Sequence, residues 1–202
     1  MIEWLAMALL VPLILVPLVL LYGFAGCDLI FPLVGPSEPS KTFEVTFTEV
    51  RDQPNRTIVQ RIEPVRLSRG GSNVRIVIQR PTTGDLIVSR MFISQPADAG
   101  GDPYDSAADL TAIFEDPIAL MADPANGLLE LDVVPYAFDH TLPILIAFDV
   151  GDAGSLPRGD AVPSEARAFL GHLALNEAAT QDRLSGYQSE DGVYLIQRID
   201  VS

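Results

Sequence analysis

Four aspartates, Asp98, Asp102, Asp105 and Asp109, fall in one short stretch with Gly100, Gly101 and Pro103, and Glu115 and Asp116 follow a few positions on. A hard cation such as calcium takes six to eight oxygen ligands, and glycines let a loop wrap tightly around it, so this stretch is the chain's candidate calcium site. It departs from the EF-hand pattern, because Gly100 and Pro103 stand where a ligand and the turn glycine belong. The plainer reading of the same residues is a solvated acidic loop. Two carboxyl groups about 5 to 9.5 Å apart would also suit glycoside hydrolysis, a spacing that sequence does not supply. Sandwich faces bind carbohydrate through exposed aromatic rings, and Tyr104, Tyr136, Tyr187 and Tyr194 are the candidates. The commoner fate of such a tyrosine is burial of the ring with the hydroxyl hydrogen-bonded.

Other chemistry is constrained by what is missing. No HExxH zinc helix, CxxC pair, GxxxxGK[ST] phosphate loop or GxSxG nucleophile elbow occurs. The two histidines, His140 and His172, have no serine and acid at a spacing that suggests a triad, and each reads as solvated or hydrogen-bonded. Net charge is −14. It is unevenly placed, with nine Lys or Arg against five acids over 41–90 and four against nineteen over 91–202. Acidity on that scale disfavours nucleic acid, whose phosphates demand cations. A non-enzymatic binding or assembly domain is therefore the leading expectation, and a hydrolase using loop carboxylates is the second.

The elements that would carry these residues read as strands. Phe43, Val45 and Phe47 alternate with polar neighbours, as do Val74, Ile76 and Ile78, which follow a Gly70-Gly71-Ser72 turn. Further runs are Ile58–Leu67, Leu86–Ser94, Leu128–Tyr136, Leu142–Val150 and Gly192–Val201. Pro64 demotes the first of these to an edge or bent strand. Seven or eight short strands separated by Gly, Pro and Asp argue for a mainly β fold, an antiparallel sandwich over 41–202. One segment resists. Ser164 to Ala179 follows Pro163, is alanine-rich and places Ala166, Phe169, Leu170 and Leu173 at helical spacing, so it predicts one short helix.

Ahead of this body, Trp4 to Gly26 carries no charge and ends at Cys27, the only cysteine. Its 23 residues make a helix of roughly 34 Å, enough to cross a hydrocarbon core about 30 Å thick. Pro12 and Pro17 predict a kinked span, with Trp4 and Tyr22 near opposite headgroup levels. The alternative is a processed leader, because Phe24-Ala25-Gly26-Cys27 resembles a bacterial lipobox and would make Cys27 the lipidated residue. Met1 to Glu3 lacks the basic residues of a signal peptide, and the run exceeds the usual apolar length. Residues 1–28 thus read as an anchor or lipoprotein-type signal and 29–40, rich in proline, as a stiff linker. The partners expected are membrane lipid for the front segment, and carbohydrate or a protein assembly for a body held outside the cytoplasmic membrane.

Met91-Phe92-Ile93-Ser94 followed by Ala97-Asp98-Ala99-Gly100-Gly101-Asp102-Pro103-Tyr104-Asp105 resembles a pattern in a β-sandwich domain of bacterial and phage structural or tail-associated proteins. The likeness continues through Leu142 to Gly151, Glu177-Ala178-Ala179-Thr180, Ser185-Gly186-Tyr187 and Tyr194 to Val201. It implies a jelly-roll-like fold and a surface or virion-type structural role, and carries no catalytic residue across. The chain departs from that pattern at Phe114-Glu115-Asp116, where the family tends to a glycine-rich turn, and at Phe169 to Leu175, which is a strand in the family.

Overall fold

A computed structural model describes residues 39–97, 101–151, 155–159, 164–174 and 176–202. The apolar run Trp4 to Gly26, Cys27 and nearly all of the linker lie outside them, as does Asp98. Among the described residues no helix is long and apolar enough to cross a membrane.

The chain runs through β1 (Ser40–Glu44), β2 (Glu49–Asp52), β3 (Arg56–Ile62), β4 (Gly71–Gln79), β5 (Leu86–Ser94), β6 (Thr111–Phe114), β7 (Ile118–Leu120) and β8 (Leu128–Glu130). It continues through β9 (Val134–Phe138), β10 (Ile144–Val150), β11 (Ser155–Gly159), β12 (Ala166–Leu170), β13 (Gln188–Asp191), β14 (Val193–Tyr194) and β15 (Ile196–Val201). All pairings are antiparallel. One sheet has the order β1-β15-β4-β8 with β9 also on β4, and a larger one has the order β13-β12-β3-β10-β5-β6 with β7 also on β5. A three-stranded sheet, β14-β11-β2, completes the set.

Alternation explains how the sheets face one another. Val74, Ile76 and Ile78 of β4 and Ile199 and Val201 of β15 share one apolar core with Ile58 and Ile62 of β3, Met91 and Ile93 of β5, and Ile146 and Phe148 of β10. The fold is sandwich-like, each sheet covering apolar surface that it could not bury alone. Gln60 also points into this core, where its amide donates to the Tyr194 carbonyl at 2.8 Å and accepts from the Tyr194 amide at 2.6 Å. That clasp satisfies the buried backbone amide and carbonyl of Tyr194 in the short strand β14.

The larger sheet is buried on its second face as well. Val59, Phe92, Leu145, Ala147 and Phe169 form a separate cluster there, covered by Tyr104, Ala178 and Tyr187 from the segments after β5 and β12. Every residue of β10 is consequently buried, which is why it reads as a nearly uninterrupted apolar run.

Three expectations are corrected. No described residue of 164–179 is helical: Ala166, Ala168 and Leu170 face the core and Arg167 and Phe169 the opposite side, in register with β3. Its residues fit both periods, and the two-sided slot beside β3 selects the strand over the helical preference of alanine. Leu173, the fourth residue of the supposed helical stripe, is exposed. Strand β3 is no edge but sits between β12 and β10, because it ends at Ile62 and Pro64 only opens the following 3-10 turn, Pro64–Arg66. Gly71 and Ser72 belong to β4 rather than to a turn before it.

Two expected strands are broken in two. Leu128–Tyr136 becomes β8 and β9, and Gly192–Val201 becomes β14 and β15, parted by buried Leu195 at φ 62°. Its left-handed backbone is held by a hydrogen bond from the Leu195 amide to the Pro157 carbonyl and another from the Gln79 amide to the Leu195 carbonyl.

Candidate functional site

A β-bulge sets the polar centre of the second face. On β10, Asp149 pairs with Arg90 and Val150 with Val88, so Ser89 is the extra residue. The phase of β5 therefore slips by one. Leu86, Val88, Met91 and Ile93 all reach the core while Arg90 turns to the opposite face beside Asp149. The Asp149 carboxylate is 0% exposed. Its Oδ1 accepts from the Thr57 hydroxyl at 2.5 Å and the Ala178 amide at 3.2 Å, and Arg90 Nε lies 2.8 Å from Oδ2. Burial pushes its pKa up from the ordinary carboxylate value, against Thr57, the Ala178 amide, Arg90 and Arg183, which all favour the charged form.

Arg183 ties the covering segments together. Its side chain donates to the carbonyls of Glu177, Tyr104 and Ala178 and to the Ser106 hydroxyl, while its backbone amide donates to Asp105 Oδ1 at 2.9 Å. Burial pulls the guanidinium pKa down, opposed by Tyr187, Asp105, Glu177 and Asp149. One buried cation thus joins the segment after β5 to the one after β12.

The acidic loop is spent on similar work. Asp105 Oδ2 accepts from the Asp102 amide at 2.8 Å, and Asp102 accepts from the Tyr104 hydroxyl at 2.8 Å. Asp109 accepts from the Gln95 amide and from the Tyr136 hydroxyl, the latter at 2.5 Å. Glu115 and Asp116 are exposed in the turn between β6 and β7. Among the described residues, no three His, Cys, Asp or Glu side chains converge as a metal ion would require.

All four tyrosines singled out from the sequence are buried, and each hydroxyl donates to a carboxylate: Tyr104 to Asp102, Tyr136 to Asp109, Tyr187 to Glu177 and Tyr194 to Glu190. Burial first, and the adjoining carboxylate second, push all four phenols up, Tyr194 to about 12. A neutral phenol remains a donor across the physiological range, so these pairs act as fixed struts. Tyr104 and Tyr187 stack with ring centroids 4.5 Å apart, and a Cβ at Gly171 would stand 2.8 Å from the Tyr187 ring. Tyr136→Phe is expected to cost about 1–2 kcal/mol, measured as a shift in urea midpoint, since it removes one strut and leaves the ring in place. A change below about 0.3 kcal/mol would mean that the bond to exposed Asp109 holds nothing.

Two clefts open near this region. One of about 450 Å³ is lined by Arg56, Gly171, His172, Leu173, Gly186 and Gln188, with the exposed His172 Nε2 3.2 Å from the Ser185 carbonyl. Another, of about 360 Å³, is lined by Asp105 and Asp182 together with Gly101, Ser106 and Gln181. His140 lies far from both in sequence, in the turn where Asp139 accepts from the Thr141 hydroxyl and amide. These bonds hold the Asp139 pKa below the usual carboxylate range.

Asp149, Arg183, Thr57 and Glu177 escaped notice as a group. A signal existed for Asp149, the one charged residue inside the apolar run of β10, and a weaker one for Arg183, among only four basic residues after position 90. The charge split along the sequence is not a split in space, because Arg66 pairs with Glu165, Arg75 with Glu130 and Arg90 with Asp149. No family model matches this chain, and no curated protein is significantly similar to it.

Proposed function

We propose that this protein is a non-enzymatic binding or assembly module, a jelly-roll-like sandwich held outside the cytoplasmic membrane by its N-terminal apolar segment. The observation that carries the non-enzymatic half is the commitment of the loop carboxylates: Asp102, Asp105, Asp109 and Glu177 accept hydrogen bonds from backbone amides or tyrosine hydroxyls. General acids and bases need a carboxyl free to exchange a proton with substrate, and these are occupied as struts. The anchoring half rests on the uncharged run from Trp4 to Gly26. The alternative, a hydrolase working through loop carboxylates, draws on the cleft that Asp105 and Asp182 share. Both Asp105 oxygens are taken up by amides, which favours the binding reading.

Membrane fractionation followed by intact mass tests this. The chain is expected in the membrane fraction, retained in high salt and released by detergent, with a mass that is either full-length or begins at lipidated Cys27. Release by salt alone would mark a subunit of a protein particle, as in phage or virion assemblies, and overturn the anchor. Turnover of a glycan or ester substrate that Asp182→Ala abolishes would overturn the non-enzymatic reading.

A further inference from the structure

The four tyrosines are buried and offer no ring face to a carbohydrate, but a third cleft has chemistry suited to one. It holds about 160 Å³ between the connector after β1, strand β2, the end of β4 and strand β11. Phe47, Val50 and Pro157 give it apolar walls, while Gln79, Thr82 and Asn126 bring amides and a hydroxyl to the same space. Phe47 is half-buried against the core and Val50 is 44% exposed, so apolar surface is open to a ligand here.

The polar side is built by a turn. Asn126 sits at φ 57°, a left-handed conformation that asparagine accepts more readily than most residues. The turn is closed by bonds from the Asn126 amide to the Asp123 carbonyl, from the Ala125 amide to Asp123 Oδ1 and from the Arg80 amide to the Gly127 carbonyl. Gln79 Nε2 approaches Asn126 Oδ1 at 3.4 Å. That contact aligns the two amides and leaves Asn126 Nδ2 as donor and Gln79 Oε1 as acceptor, neither bonded among the described residues. Among the described residues no Lys or Arg lines the cleft, and the acid that does, Glu49, pairs with Arg158 and Arg51.

We infer that this cleft binds a single neutral pyranose, its C–H face on Phe47 and its hydroxyls on Gln79, Thr82 and Asn126. A few fixed polar groups over an apolar wall are the usual composition of a small-molecule site, and this one is smaller than the roughly 300–1,000 Å³ of clefts for drug-sized ligands. One ring with few contacts binds at about 1–10 mM. The inference rests on the reading of the domain as a binding module and supplies its ligand class.

Saturation-transfer NMR on the full chain in a sugar-free detergent tests it, with methyl β-D-glucopyranoside, methyl α-D-mannopyranoside and N-acetyl-D-glucosamine as probes at about 10 mM each. Transfer to ring protons of at least one probe is expected. Asn126→Gly keeps the left-handed backbone and Phe47→Leu keeps apolar packing, so both fold, and each is expected to weaken binding about tenfold. His172→Ala, in the separate cleft, is expected to change nothing. Transfer to no probe, or transfer that survives both substitutions, or loss in His172→Ala alone, overturns the inference. The readout does not depend on membrane association, so such a failure leaves the anchored assembly reading standing.

Discussion

Arg183→Leu is expected to lower the unfolding free energy by about 3–5 kcal/mol, among the largest costs that a single substitution produces. Arg183 is 3% exposed and its guanidinium donates to four acceptors, the carbonyls of Tyr104, Glu177 and Ala178 and the Ser106 hydroxyl. Leucine replaces the volume but none of the donors: the Glu177 carbonyl keeps the Thr180 amide and the Ser106 hydroxyl keeps Ser94, while the Tyr104 and Ala178 carbonyls lose their donor, and each buried acceptor left unpaired costs about 1–3 kcal/mol before relaxation. The loss should appear as a lower urea midpoint with little change in slope. Arg183→Lys should recover only part of it, because an ammonium cannot present the planar fork that reaches acceptors on two segments at once. The stacked Tyr104 and Tyr187 belong to those two segments, so near-ultraviolet circular dichroism from tyrosine is expected to weaken in parallel. A cost below about 1 kcal/mol would mean that the two segments hold to the sheet without the cation.

Asp149→Ala is expected to cost about 2–4 kcal/mol, since it removes the acceptor that the buried Thr57 hydroxyl and Ala178 amide share and the carboxylate that faces the part-exposed Arg90. Asp149→Asn should cost much less, because its carbonyl still accepts from Thr57 and Ala178. The pair also differs in pH dependence. Burial raises the folded pKa of Asp149 above its unfolded value near 4. Between those two values the folded state binds more protons than the unfolded one, so this group's contribution falls as pH rises from about 4 through the raised value, then levels off. Unfolding free energies of the parent and Asp149→Asn across that window should converge at its acidic end after a constant offset is removed, with the flatter profile in the variant. A parent profile that instead rises with pH relative to the variant would show that Arg90 and the two hydrogen bonds outweigh desolvation.

Both predictions concern residues that pattern reading passed over, and the reason is physical. Leu86–Ser94 is legible as a strand because a short apolar run after a turn at 81–85 is a local signal, yet the bulge at Ser89 that turns Arg90 toward Asp149 exists only when β5 is laid against β10. Ala166–Leu170 is ambiguous by itself, since alanine, phenylalanine and leucine at these positions satisfy either period, and pairing with β3 resolves it. The tyrosines were visible as aromatic residues with a polar tip. Whether the tip met a ligand or a neighbouring carboxylate depended on Asp109 and Glu177 arriving beside Tyr136 and Tyr187 from other segments.

Read by itself, the chain declares a mainly β body after an uncharged N-terminal run, and an acidic stretch near residue 100. Those features follow from side-chain period and composition, which neighbouring residues alone determine. Tertiary structure decides what each charge and hydroxyl touches. Asp149, Arg183 and Asp105 became buried struts, and Phe47, Gln79 and Asn126 came to line one cleft, through contacts between positions far apart in sequence. Burial makes those contacts strong and obligatory, because a polar group removed from water must find its partner wherever the fold has brought one.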